Sequence, residues 1–158
     1  MILDGEVQDS TGGTTLLSLS DQSITLPAGA SDTVRMTTPW NEPVLWSPDQ
    51  PTLLRLHSRI HDGTAIVDEE TRRFGFREIW IEGNRYFLNG VRINLIGTSL
   101  NWHSQFIKNQ RYARMYPDTW KSTIGLYKDV LHHNVLRLHM EPAPDWMLDV
   151  ADRKGMIM

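Results

Sequence analysis

The 158-residue chain contains no cysteine, so disulfide bridges and thiolate metal sites are excluded as sources of its stability. No apolar run reaches the roughly 20 residues of a membrane span, and the first residues lack the order of a signal peptide. We therefore expect no membrane partner, and the missing export signal favours the cytoplasm. Basic residues form no run beyond the pairs Arg72-Arg73 and Arg153-Lys154. The formal charge is −3, which makes nucleic acid an unexpected partner.

Apolar residues make up 40% of the chain, and in the first half they alternate with polar residues. This period of two predicts short strands, with a turn at Asp21-Gln22 between the first two of them. The predicted strands lie at residues 15–19, 23–26, 33–38, 53–60 and 65–68. Short strands at intervals of about ten residues, with turn residues between them, indicate a β-sandwich.

Two pairs of turn residues follow this region. Gly83-Asn84 separates the apolar alternation of Ile79 and Ile81 from a second apolar run, which predicts a hairpin. Asn89-Gly90 repeats the turn chemistry. Residues 91–96 are then almost continuously apolar, which is typical of a strand covered on both faces.

The period changes again after Pro117. Trp120, Ile124, Tyr127 and Leu131 recur at three and four residues, which predicts an amphipathic helix ending near residues 132–134. Residues 135–140 are predicted to be a buried strand, Asp145 opens a second helix, Gly155 follows its end, and residues 156–158 resemble another strand. This alternation predicts a parallel α/β sheet in which 91–96 and 135–138 are neighbours.

Two or three parallel strands cannot bury both faces of a sheet. We therefore expect the chain to be truncated at both ends and to self-associate through an uncovered sheet edge.

Five motifs, in this order, are similar to those of glycoside hydrolase family 2, the family of β-galactosidases, β-glucuronidases and β-mannosidases. They are Leu45-Trp46-Ser47-Pro48-Asp49-Gln50-Pro51-Thr52-Leu53-Leu54, Arg73-Phe74-Gly75-Phe76-Arg77-Glu78-Ile79, Phe87-Leu88-Asn89-Gly90, Asn134-Val135-Leu136-Arg137 and Leu148-Asp149-Val150-Ala151-Asp152-Arg153-Lys154-Gly155. The resemblance implies an incomplete immunoglobulin-like β-sandwich over residues 1–76. It also implies the first βαβαβ portion of a (β/α)8 TIM barrel over residues 77–158.

The resemblance further implies a retaining β-glycosidase that hydrolyses terminal β-linked sugars. Such enzymes carry a glutamate acid/base after the fourth barrel strand and a glutamate nucleophile after the seventh. Neither position exists in this chain, so we predict no catalytic residue here and no activity of the chain alone. The alternative function is a non-catalytic sandwich module that binds carbohydrate or protein.

Substrate contacts in barrels lie at the C-terminal ends of strands. Asn101-Trp102-His103 resembles the family's Asn-x-His after the first strand. Asn101 and His103 would bond sugar hydroxyls, and Trp102 would cover the pyranose ring. In the alternative, Trp102 packs under its loop and His103 caps it.

Arg137 and His139 match the family's Arg and nearby His at the second strand. A guanidinium buried beside catalytic carboxylates would hold the nucleophile ionised. The alternative is a structural ion pair with Glu141 or Asp118. Glu141 itself is either a contact to a sugar hydroxyl or a solvated loop carboxylate.

No cofactor and no metal are expected. His132, His133 and His139 lack a carboxylate at ligand spacing. Trp40 and Trp46 are interpreted as packing residues, with a carbohydrate-binding platform as the alternative. Gly83 and Gly90 belong to turns, since no Gly-Lys-Ser/Thr follows them.

Overall fold

The computed structural model describes residues 1–100, 117–139 and 142–158. The chain forms two compact units. The first comprises Met1–Val44 and Leu53–Phe76, and the second comprises Leu45–Thr52 and Arg77–Met158. Residues 45–52 thus cluster with the second unit, whereas the predicted domain over 1–76 included them in the first.

The first unit is built on one four-stranded antiparallel sheet, in the order β2-β1-β3-β4. Its strands are β1 (Ile2–Gln8), β2 (Thr15–Ser23), β3 (Leu54–Asp62) and β4 (Ala65–Phe74). Paired residues face the same side of a sheet, so Val7 and Leu56 define an apolar face while Glu6 and His57 define a polar one. Antiparallel sheets commonly have this character, with one face packed on a hydrophobic core and the other face in contact with water.

Two sequence predictions fail in this unit. The predicted turn at Asp21-Gln22 is absent, because Gln22 continues the pairing with Leu3, so β2 runs without a break to Ser23 and residues 24–26 lie outside it. Residues 33–38 form no strand, and β1 was not predicted. The strands of this unit, all of which the structure describes, make a single sheet, and an incomplete sandwich of the predicted kind would contain one such layer of the usual two.

Charged side chains of both signs are interleaved on the polar face. Arg59 Nη2 lies 2.7 Å from Asp4 Oδ1, and Arg59 Nη1 lies 3.7 Å from Glu6 Oε1. His57 Nε2 lies 3.2 Å from a Glu69 carboxylate oxygen. The hydroxyl of Thr15 donates to Glu6 Oε2 at 2.6 Å and is the largest cause of the lowered pKa of Glu6. These contacts join all four strands.

The first three strands of the second unit form an antiparallel meander, in the order β5-β6-β7. The strands are β5 (Ile79–Glu82), β6 (Arg85–Leu88) and β7 (Val91–Ile93), so the predicted hairpin is confirmed. The prediction of a buried strand over 91–96 is wrong. The strand ends at Ile93 and pairs back onto β6, with Val91 70% exposed and Ile96 56% exposed. The Asn89-Gly90 turn causes this, because it folds the chain onto its immediate neighbour.

Two parallel strands follow the meander. β8 (Gly97–Leu100) pairs in parallel with β9 (Val135–Leu138), and Ile157 forms a parallel bridge to Val135 on the other side. The parallel neighbour of β9 is therefore β8, not residues 91–96 as predicted. Gly97 permits this approach, because a Cβ there would overlap the carbonyl oxygen of Val135.

Helices cover one face of the parallel pair. They are α1 (Pro117–Gly125), a π-helical turn (Leu126–Val130) that extends it, and α2 (Asp145–Lys154). Their apolar residues form one core with the strands, made of Leu100, Trp120, Ile124, Leu136, Met147, Val150, Ala151 and Met156. Leu131 was predicted on the apolar face but is 49% exposed, since the wider π turn shifts the helical spacing before it. In the described ranges, no helix is long and apolar enough to cross a membrane.

Substitution of Gly155 tests how the end of α2 packs. Gly155 has φ +71°, and a Cβ there would overlap the carbonyl oxygen of Pro48. Gly83 has a similar φ of +61° with nothing within 4 Å of the same position. Both changes to alanine should cost about 1–2 kcal/mol for the left-handed backbone. We expect Gly155→Ala to cost about 1–3 kcal/mol more for overpacking. Urea unfolding followed by tryptophan fluorescence measures both, and equal losses would contradict the Pro48 constraint.

The Asp9 carboxylate is expected to titrate unusually low. The hydroxyl of Thr11 donates to Asp9 Oδ1 at 2.7 Å and the backbone N–H of Gly13 donates at 3.1 Å. The Thr11 bond is the main cause of a pKa lowered from 3.8 to about 2. A lowered acid pKa contributes stability above pH 3.8 that is lost as the pH falls towards 2.

Thr11→Val should therefore raise the pKa of Asp9 towards its ordinary value, and Thr11→Ser should leave it low. A carboxyl-detected NMR titration of the three chains checks this. Identical titration of Asp9 in the wild type and Thr11→Val would count against the hydroxyl.

Candidate functional site

The carboxyl ends of β8 and β9 lie side by side. The strands are in register, with Ser99 opposite Arg137 and Leu100 opposite Leu138. The backbone N–H of His139 donates to the carbonyl of Leu100 at 2.8 Å, which continues the pairing past the end of β9. The ends of two parallel strands therefore form one edge from which the loops depart.

The sheet formed by β8 and β9 has one apolar face and one polar face. Leu100 and Leu136 are both 0% exposed and belong to the core beneath the helices. Side chains alternate along a strand, so Ser99 and Arg137 point to the face that the helices do not cover. Both residues are exposed. The sequence predicted a buried Arg137, and the structure corrects this.

Arg137 is held by a neutral group. Its Nη1 donates to the hydroxyl of Ser99 at 3.1 Å. Asp118, one of the two predicted ion-pair partners, instead accepts from Lys121 Nζ at 2.9 Å. Among the described residues, no carboxylate lies within salt-bridge distance of Arg137. Within the part of the chain that the structure describes, the guanidinium is therefore bonded to a neutral hydroxyl and paired with no carboxylate.

Four of the six predicted substrate contacts lie outside the described residues. They are Asn101, Trp102, His103 and Glu141. The structure brings Arg137 and His139 to the same strand end, and the roles of all six stay predictions. Sequence reasoning missed Ser99. The sequence signal for Ser99 is its position two residues after Gly97, and this signal has meaning only once β8 is known to pair with β9.

The three histidines considered for a metal do not meet. The ring of His133 stacks on Tyr127 with centroids 5.4 Å apart, and its buried Nδ1 has no hydrogen-bond partner among the described residues. His132 has a positive φ of 54° just after the π turn, while His139 follows β9. In the part of the chain that the structure describes, no three His, Asp or Glu side chains are grouped to hold a metal ion.

Trp46 is a packing residue. It is 0% exposed, and its indole Nε1–H donates to the carbonyl of Asp152 at 2.8 Å. The Arg77 guanidinium lies 4.4 Å from the ring centroid and also pairs with the Asp152 carboxylate at 3.2 Å. The alternative of a sugar-binding platform is therefore wrong for Trp46. In the first unit, Trp40 packs edge-on against Phe76, with centroids 5.5 Å apart.

The second unit also contains a cleft of about 350 Å³ that sequence reasoning did not anticipate. Two amide side chains that line it, Asn89 and Asn134, are already bonded to the backbone. Asn89 accepts from the N–H of Glu78 and donates to the carbonyl of Trp46, each at 2.9 Å. These two amides therefore hold the chain, and the other polar residues that line the cleft are Ser47, Asp49 and Arg92.

The sequence model of glycosyl hydrolases family 2 matches residues 3–77. The chain is related to glycoside hydrolase family 2. The predicted resemblance is thus confirmed. The family model covers mainly the first unit, whereas similarity to individual family members also includes residues of the second unit.

A putative β-glucuronidase of Formosa agariphila is 30% identical over 117 residues, which is 73% of this chain and 11% of that protein. A β-galactosidase of Thermoanaerobacterium thermosulfurigenes is 28% identical over 116 residues, 72% of this chain and 15% of that protein. The crystal structure of a glycosyl hydrolase family 2 member from Bacteroides cellulosilyticus superposes with a TM-score of 0.78 at 27% identity. That match covers 98% of this chain and 19% of the other. The chain therefore spans less than a fifth of each of these proteins.

Replacing Trp46 with phenylalanine distinguishes packing from a surface role. Trp46→Phe removes the indole N–H, leaves the Asp152 carbonyl without that donor, and opens space in a buried site. We expect a loss of about 1–3 kcal/mol in unfolding free energy. Trp80 is only partly buried and stacks on Phe87, so Trp80→Phe is the matched control, with a loss of less than about 1 kcal/mol. Urea unfolding measures both, and equal effects would contradict the packing role.

Proposed function

We propose that this chain supplies the opening strands of the catalytic (β/α)8 barrel of a retaining family 2 β-glycosidase. The barrel would be preceded by part of an immunoglobulin-like β-sandwich. The observation that carries the proposal is the position of Arg137. It stands at the carboxyl end of a parallel strand, on the face free of helices, with its charge unpaired among the described residues.

The order of elements in the second unit supports a barrel. β8, α1, β9, α2 and Ile157 follow one another, and each strand segment is parallel to its neighbour. The core residues of both helices pack on the same side of β8 and β9. A barrel has this arrangement, with helices outside, strands inside and substrate at the carboxyl ends of the strands.

The sheet of the first unit supports the sandwich. Its apolar face, on which Val7 pairs with Leu56 and Leu3 pairs with Ile60, has the composition of a face that packs against a second sheet. Its polar face carries the interleaved charges of Asp4, Glu6 and Arg59, which is suited to solvent.

The proposed chemistry needs an anionic nucleophile, and Arg137 fits that need. A guanidinium at the mouth of the barrel would favour the ionised carboxylate and orient it through two parallel hydrogen bonds. His139, Asn101 and His103 would bond sugar hydroxyls, Trp102 would cover the ring, and Glu141 would contact a hydroxyl from the second loop. The substrate would be a terminal β-linked sugar, as the names of the relatives suggest.

Retaining hydrolysis requires two carboxyl groups about 5–5.5 Å apart across the sugar. The family resemblance assigns these to glutamates after the fourth and seventh barrel strands, and this chain presents neither. We therefore propose that the 158-residue chain is inactive and that the full-length protein carries the activity.

Hydrolysis of a panel of aryl β-glycosides, including a galactoside, a glucuronide and a mannoside, tests the proposal. The full-length protein should turn over at least one, and the 158-residue chain none. Arg137→Lys should lower kcat/KM by about 10²-fold, because lysine cannot make a bidentate pair. Arg85→Lys, at an exposed position of the hairpin, is the matched control and should change little.

Two results would overturn the proposal. One is turnover by the 158-residue chain that disappears on mutation of Glu141. The other is a full-length protein that binds these sugars without hydrolysing any, which would favour the non-catalytic module.

A further inference from the structure

Ser99 and Arg137 meet because the parallel register fixes them at the same rung. Both strands are anchored beside this pair. Leu100, which follows Ser99, and Leu136, which precedes Arg137, are 0% exposed, and Gly97 lets the two backbones approach closely. A serine side chain has one short torsion, whereas an arginine has several and carries about 2 kcal/mol of rotamer entropy. The fixed partner in this pair is therefore the serine.

The hydroxyl of Ser99 constrains the guanidinium without neutralising it. It accepts one hydrogen bond, from Nη1 at 3.1 Å, and a guanidinium has five N–H donors. An aspartate at this position would also fix the guanidinium but would cancel its charge. A neutral acceptor leaves both the charge and a forked pair of donors for an anionic group.

We propose that Ser99 is a positioning residue for Arg137. Its hydroxyl sets the direction in which the guanidinium presents its free donors to an anionic partner at the carboxyl ends of β8 and β9. This inference rests on the proposed function, in which that partner is a catalytic carboxylate. Ser99 itself touches no reacting atom.

The test compares Ser99→Ala and Ser99→Thr in the full-length enzyme. Ser99→Ala frees the guanidinium, so we expect kcat to fall about tenfold with KM changed less than about twofold. Ser99→Thr keeps the hydroxyl and should restore most of kcat. Thr98→Val is the matched control, because it removes a hydroxyl from the same strand on the helix-covered face.

The pH profile gives a readout that a merely structural residue would not move. A misplaced guanidinium stabilises the ionised carboxylate less, so its pKa rises. The acidic limb of kcat/KM should therefore shift to higher pH in Ser99→Ala and stay in place in Ser99→Thr and Thr98→Val.

The outcomes separate the two proposals. Turnover by the wild type with an unchanged rate and pH profile in Ser99→Ala would overturn the role of Ser99 alone. A wild type without turnover would remove the proposed function and the catalytic meaning of the pair. Side-chain NMR of Arg137 then decides whether Ser99 orients it at all. Guanidinium rotation that is slow in the wild type and free in Ser99→Ala supports positioning, and equal rotation in both overturns it.

Discussion

The burial of two leucines on neighbouring parallel strands determines the rest of the second unit. Leu100 and Leu136 are wholly enclosed by apolar residues of α1 and α2. Each such side chain contributes about 1.5–3 kcal/mol of transfer free energy, and the exposed hydrogen bond between Ser99 and Arg137 contributes about 1 kcal/mol or less. The leucines therefore decide which way the strands face. Arg137 lies on the opposite face as a consequence of their burial.

The same hydrophobic core explains why residues 45–52 belong to the second unit. Trp46 is buried against the end of α2, where its indole bonds to Asp152 and Arg77 covers its ring. Gly155 lets the helix end directly against Pro48. A segment that lies before β3 in sequence thus packs against a helix about a hundred residues later, so the second unit is discontinuous in sequence.

Elements fixed by local chemistry could be predicted from the sequence, and those fixed by a distant partner could not. The hairpin through Gly83 and the helix Asp145–Lys154, with its left-handed Gly155, depend on turn and cap residues within a few positions, and both are confirmed. Residues 91–96 look like a buried strand in composition, but their partner is set by the Asn89-Gly90 turn. The true neighbour of β9 is β8, a strand of Gly, Thr, Ser and Leu whose composition gives little signal. The same limit applies to the site, whose six predicted contacts stay predictions. Sequence reasoning found Arg137 as a charge within an apolar run and missed Ser99, which matters only through register.

The register between β8 and β9 is held by the side chain of Asn134, the residue just before β9. The amide of Asn134 accepts from the N–H of Ile96 and donates to the carbonyl of Asn94, each at 2.8 Å. These bonds tie the residues just before β8 to the residue just before β9, so the two strands start at a fixed offset. A slip of one residue would move Arg137 to the helix side and Leu136 into solvent, at the cost of a buried charge and a lost core leucine. The motif Asn134-Val135-Leu136-Arg137 is therefore one structural unit, in which the asparagine sets the register, the leucine sets the face, and the arginine is presented where the strands end.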